Sequence, residues 1–165
     1  MQDSPAHAFQ DDLGDIGFAH CWGCGAKNEH GLRIKSYWAA DSDEAVCTWQ
    51  PAPYHVASPG IVSGGIIATI MDCHSAATAC AAAYRAQGRP ISADIPLTYV
   101  TASMQVTYLR PTPSTAPVQL RAHVTAMTER KITVACALYS GVTECARAEV
   151  VAARVPSTWH AERPD

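Results

Sequence analysis

The sequence predicts an α+β fold in which one antiparallel sheet wraps a single long helix. One helical run, rich in alanine, stands alone between Ser63 and Arg85. After it, segments alternate apolar and polar residues with the period of two that marks a half-buried strand. Before it lie only two short β-type segments. One helix cannot cover both faces of a sheet, so a parallel, doubly covered sheet is excluded and one face is left open. That uncovered face calls for a partner subunit.

Taken in order, Leu32 to Trp38 and Ala45 to Trp49 form a strand pair joined through the turn-prone AADSDE. Pro51, Pro53, Pro59 and Gly60 mark an irregular loop. The helix starts near Ser63, a good N-cap residue, and stops near Gly88 and Pro90. Gly64 and Gly65 are poor interior helix formers and belong in its first turn. A strand from Thr101 to Leu109 ends at PTPSTAP. Val118, Leu120, Ala122, Val124 and Ala126 then alternate with polar residues. Ile132, Val134, Cys136 and Leu138 repeat the pattern after TERK, and Gly141 separates a last strand, Thr143 to Val155. The expected organisation is an arm over 1–20, one domain over 21–155 and a tail over 156–165, the arm being mobile.

At 165 residues, with 48% hydrophobic and 16% charged, the chain is one ordinary folded domain. A net charge of −3 gives no general attraction to nucleic acid or to an anionic membrane surface. So little charge on a small domain points to apolar surface hidden in a homo-oligomer. The longest apolar run, Ile61 to Tyr84, is broken by Ser63, Asp72, His74 and Ser75, which argues against a membrane span. The N-terminus has no basic-then-apolar order of a secretory signal. Seven cysteines, an odd number without framework spacing, fit a reducing cytoplasm.

On a helical projection, Ile67, Ile70, Met71, His74, Ala77 and Thr78 share one apolar face. The opposite flank holds Gly65, Ala68, Thr69, Asp72, Ala76 and Ala79. Asp72 is therefore the sole charge among very small residues. A solvated outer face would carry several Lys, Glu or Gln, and a lone charge on a close-packed flank is costly, so Asp72 is a candidate catalytic group. Ser63, Gly64 and Gly65 form a bare helix N-terminus, whose free N–H groups suit an anion or a polarised carbonyl. The bland alternative is a helix start with tight packing. Gly65 and Asp72 lie seven residues apart, about 10 Å along a helix, too far to touch one carbonyl. If they act together, they come from helices of two subunits.

Other constellations are weaker. Ser63 lacks the glycine two positions earlier that a nucleophile elbow needs, since Ile61 stands there. Cys21 and Cys24, with His20 and His30 near, have zinc-type spacing, but no second such pair follows, so no metal site is predicted. His74 reads as a core histidine, and His123 has no evident partner.

The segment from His55 through Ser63-Gly-Gly to Asp72 resembles the signature of hotdog-fold acyl-CoA thioesterases of the phenylacetic-acid-degradation type. Cys21-Trp-Gly-Cys24-Gly with Asn28 and Gly31-Leu32 resembles an N-terminal motif of one subgroup. Thr101 to Pro111 resembles the strand after the helix. The resemblance implies a hotdog fold, dimers with a continuous sheet, and an active site at the subunit interface. It implies that the Gly65 N–H polarises a thioester carbonyl and that Asp72 of the partner subunit activates water or attacks directly. Thr101 matches a water-positioning residue and His55 a loop histidine near the reacting centre. Ser63 and Gly64 would line the substrate, and Arg110, Arg130 and Lys131 are candidate cations for CoA phosphates. No cofactor is implied. The family's His-Gly-Gly begins here with Ser63, and residues 88–100 form an insertion that either extends the helix or makes a lid. Substrate on CoA or a carrier protein, and a dimer or a tetramer, remain open. The alternative function is a non-catalytic hotdog module that binds an acyl thioester or hydrophobic ligand.

Overall fold

The computed structural model describes residues 7–13, 17–91, 94, 96–156 and 158. The elements run α1 (Phe9–Leu13), β1 (Tyr37–Trp38), β2 (Ala45–Trp49), β3 (Val56–Ser58), β4 (Ile61–Val62), α2 (Gly64–Ala86), β5 (Tyr99–Tyr108), β6 (Val118–Met127), β7 (Lys131–Ser140) and β8 (Thr143–Arg154). Six strands form one antiparallel sheet in the order β1-β2-β6-β7-β8-β5, and β3 and β4 pair separately. The helix α2 packs against β5, β6, β7 and β8. This is the hotdog arrangement.

Alternation along the strands explains why the sheet wraps the helix. Val118, Leu120 and Ala122 of β6, Ile132, Val134, Cys136 and Leu138 of β7, and Ala146, Ala148, Val150 and Ala152 of β8 are all buried. Their polar neighbours Gln119, Arg121, His123, Arg147 and Glu149 face out. The open face is thus charged rather than apolar, and carries the ion pairs Arg121–Glu44 and Arg147–Glu144. Three exposed apolar side chains lie at the sheet edge, where Met104, Tyr108 and Leu109 are 36%, 52% and 39% exposed on or just after β5.

The predicted apolar face of α2 is buried as expected, but burial does not stop there. Ala79, on the predicted opposite flank, is fully buried, and from Cys73 to Tyr84 every residue except Ala76 is buried. Alanines let neighbouring chain approach from all sides. Part of that neighbouring chain is the expected mobile arm. Ala8, Phe9, Gln10 and Leu13 are buried, and α1 packs on α2. Phe9 N–H donates to Ser36 C=O at 2.9 Å, and the Gln10 amide bonds both the hydroxyl and the N–H of Ser36. Five residues are too few for helical periodicity to show. The described part of this arm is packed, not mobile; the predicted tail, apart from 156 and 158, lies outside the described residues.

The helix ends as its sequence predicts, with Gly88 in the left-handed region (φ 64°) and its N–H on Arg85 C=O. The insertion does not extend it. Leu97 and Thr98 are buried, and Tyr99 and Val100 already belong to β5. The buried Tyr84 hydroxyl accepts the Leu97 N–H at 2.9 Å and anchors the return of the chain. Tyr84→Phe leaves that N–H without its partner and is expected to cost about 1–3 kcal/mol in urea unfolding. By length and hydropathy α2 alone meets the requirements of a membrane span among the described residues, yet 72% of its apolar window is buried in the fold.

Candidate active site

The predicted residues separate into two groups within one chain. The first is Asp72 with Thr101. Asp72 sits on the small-residue flank of α2, half-buried, and its Oδ1 accepts the Thr101 hydroxyl at 2.5 Å. A register shift between Thr101 and Ser103, where β5 pairs β8, marks a bulge at this point. Bulges re-aim side chains, which explains why a strand residue is turned onto the helix here. Burial pushes the Asp72 carboxyl above the usual carboxylate range, the Thr101 hydrogen bond pulls it back down, and nearby Cys21 pushes it up. Both residues line a cavity of about 160 Å³ with Phe18, Ala76, Tyr99 and Val100.

The second group surrounds the N-terminus of α2. Ser63 occupies the N-cap with extended backbone, but its side chain makes no capping bond. The helix ladder opens with Ile67 N–H on Ser63 C=O at 3.1 Å, so the Gly64 and Gly65 N–H groups precede it. The space ahead of Gly65 is open: a Cβ there would meet only Ser63 Oγ, at 3.8 Å. His55 supports this end through its backbone, because Ser63 N–H donates to His55 C=O at 2.9 Å. Its Nδ1 accepts the Ala52 N–H at 2.9 Å, which leaves the proton on Nε2. The ring rests between Trp49 and Tyr54, and desolvation lowers its pKa, favouring neutral imidazole. None of Ser63, Gly64, Gly65 and His55 lines the Asp72 cavity. Gly65 and Asp72 both lie on α2, seven residues apart along one helix.

The thioesterase-superfamily sequence profile matches residues 59–146, more than half of the chain. A thioesterase superfamily protein from Shewanella loihica is 34% identical, with 79% of this chain and 98% of that one covered and a TM-score of 0.62. The chain belongs to the thioesterase superfamily. Thioester hydrolysis is the activity this membership supports. Other solved structures share the fold at low identity. A phenylacetic acid degradation-related putative thioesterase from Ralstonia eutropha is 15% identical, covering 75% and 86% of the two chains, with a TM-score of 0.59. A Streptococcus mutans protein bound to acetyl CoA is 13% identical, covering 74% and 88%, with a TM-score of 0.60. A search of curated protein sequences finds no match.

In this thioesterase-superfamily chain the three candidate cations are exposed and lie at opposite ends. Arg110 follows β5 and its N–H bonds Cys145 C=O, while the neighbouring Thr112 C=O holds Val62 of β4, at the Ser63 end. Arg130 and Lys131 sit where β7 begins, with Lys131 opposite Ala153, one position from the Thr101–Ala152 pair. Sequence reasoning missed Tyr108, whose hydroxyl donates to Gly64 C=O at 2.7 Å and so braces the helix start. The Thr101–Pro111 motif contained it, but no spacing rule links residues 44 positions apart. His74 is the predicted core histidine. Its Nε2–H donates to Ala45 C=O at 3.3 Å, and its Nδ1 accepts the Ser36 hydroxyl at 2.8 Å.

Proposed function

We propose that this chain hydrolyses acyl-CoA thioesters in a homodimer, each site taking Gly65 from one subunit and Asp72 from the other. The observation that carries this reading is the division of the candidate residues into two separate groups on one helix. Two further features support it. The strand β5 is ten residues long, stands at the sheet edge and pairs among the described residues with β8 alone. Such an edge invites pairing with a second copy, and its exposed Met104, Tyr108 and Leu109 favour being covered. The relative bound to acetyl CoA has the same fold.

In the proposed reaction, Asp72 takes a proton from water as the water oxygen bonds the thioester carbon. The carbonyl electron pair moves onto oxygen, where the Gly65 N–H stabilises it. Collapse of this intermediate breaks the C–S bond, and the sulfur leaves with the proton from Asp72. Thr101 holds the carboxylate and lends its oxygen to the water. Arg110, Arg130 and Lys131 are the proposed partners of the CoA phosphates.

A complementation experiment tests the shared site. Gly65→Leu fills the open space in front of the helix N-terminus, where an added Cβ meets only Ser63 Oγ at 3.8 Å, and Asp72→Asn removes the base. Each is expected to be inactive alone on a panel of acyl-CoAs. Co-expressed, random pairing would restore about a quarter of wild-type activity, because half the dimers are mixed and half their sites are intact. No recovery in demonstrably mixed dimers would place the whole site within one subunit.

A further inference from the structure

In the sequence Cys21 and Cys24 have the spacing of a zinc-binding pair but no second pair follows them. The fold supplies a third thiol from a distant element. Cys73, on α2 beside Asp72, brings its sulfur to a point where the three Sγ atoms all lie within 4.8 Å of one another. Cys21 Sγ and Cys73 Sγ are 3.6 Å apart. Tetrahedral zinc with Zn–S bonds near 2.3 Å sets its sulfurs about 3.8 Å apart, so this spacing is that of ligands sharing one ion. A disulfide needs roughly 2.05 Å.

The backbone holds the loop that carries Cys21 and Cys24 against the turn of α2 that carries Cys73. The Cys21–Gly25 turn is closed by Gly25 N–H on Cys21 C=O at 2.7 Å. Leu32 N–H on Trp22 C=O and Ile34 N–H on Gly23 C=O tie it to the following chain. Gly23 lies directly on the helix: a Cβ there would fall 2.3 Å from Cys73 Sγ and 3.0 Å from Thr69 Cγ2. A Cβ on Gly25 would meet backbone at 2.4 Å. Both glycines are therefore required for the turn to deliver its thiols to Cys73. The cavity lined by all three cysteines and Asp72 leaves room for a fourth ligand such as water.

We propose that Cys21, Cys24 and Cys73 bind one thiophilic divalent metal ion of the zinc type, with the fourth position open to the Asp72 cavity. A divalent cation would favour the thiolate form of its ligands and release their protons.

The proposal does not depend on the hydrolytic reading, and its test is independent of turnover. Reduced, metal-stripped protein is titrated with Co²⁺ and then Zn²⁺. One Co²⁺ per chain is expected, with thiolate-to-cobalt charge-transfer absorption and the visible bands of a tetrahedral site, displaced by one Zn²⁺. Both signals should be lost in Cys73→Ser and in Cys21→Ser, the latter altering a more exposed position that keeps the fold safe. Cys80→Ser, which changes another thiol of the same cavity, should retain them. Asp72→Asn should still hold the metal whatever its activity. Fully reduced protein that takes up no cobalt would overturn the site, as would full binding by folded Cys73→Ser. A Cys21–Cys73 disulfide forming in air, with no metal uptake after reduction, would overturn it in favour of a redox role.

Discussion

Asp72→Asn is expected to lower kcat/KM for acyl-CoA hydrolysis by about 100-fold or more, the lower end of what a positioned general base contributes. The substitution keeps the shape and an oxygen that still accepts the Thr101 hydroxyl, so the loss reads the chemistry. The same change should raise the melting temperature. Because burial raises the Asp72 pKa, the folded state holds its ionised form at a penalty near neutral pH, and an amide removes it. Loss of activity with gain of stability is the pattern of a functional group kept against the preference of the fold. The pH profile gives a second readout. The working form is the carboxylate, so activity should fall as pH drops through a midpoint above the ordinary Asp range. Thr101→Val removes the one hydrogen bond that lowers this pKa, and the acid limb should move to higher pH. A variant with unchanged turnover would exclude Asp72 from the reaction.

The second large effect concerns stability. His74 is fully buried, and desolvation lowers its pKa from 6.5 to about 4. Its two ring nitrogens are satisfied in the neutral form by Ala45 C=O and the Ser36 hydroxyl, which itself accepts from Gln10. Among the described residues no charged side chain takes part in this network to compensate an imidazolium. The unfolded chain binds a proton below about pH 6.5 and the folded chain resists until about pH 4, so stability is full above the first value and falls between the two. The loss attributable to His74 should reach about 2 kcal/mol at pH 5 and about 3 kcal/mol below pH 4. Urea unfolding of wild type and His74→Gln at pH 7 and pH 5 isolates it. The wild type should lose more stability than the variant by about that amount, and parallel losses would show that His74 is not the sensitive group.

Asp72 and His74 are close neighbours on α2 in opposite surroundings, Asp72 half-buried at a cavity and His74 fully buried. Asp72 and His74 were distinguishable in the sequence because 100° per residue sets them on different faces. The periodicity did not show that the helix is buried nearly all round after Cys73, because alanine is compatible with both a packed and an open flank. Nor did it show that the open sheet face would be charged, or that Met104 and Tyr108 would stand exposed on the edge strand β5.

The sequence by itself determined the long helix and its ends, the long strands after it with their inward residues, and the seven-residue spacing of Gly65 and Asp72. These follow from local rules: two residues per pleat, 1.5 Å per helical residue, and the conformational limits of proline and glycine. The sequence did not show α1 or the β3–β4 pair inside the segment read as an irregular loop, and it extended β1, which is only Tyr37–Trp38, back to Leu32. Only the tertiary structure decided what depends on contacts between distant parts of the chain. It set the Thr101 hydroxyl on Asp72 across a strand bulge, braced Gly64 with Tyr108, and packed α1 against α2. It also brought Cys73 to the Cys21–Cys24 turn. A linear spacing rule sees two thiols there, and the third appears because Gly23, with no side chain, lets the turn lie directly on the helix.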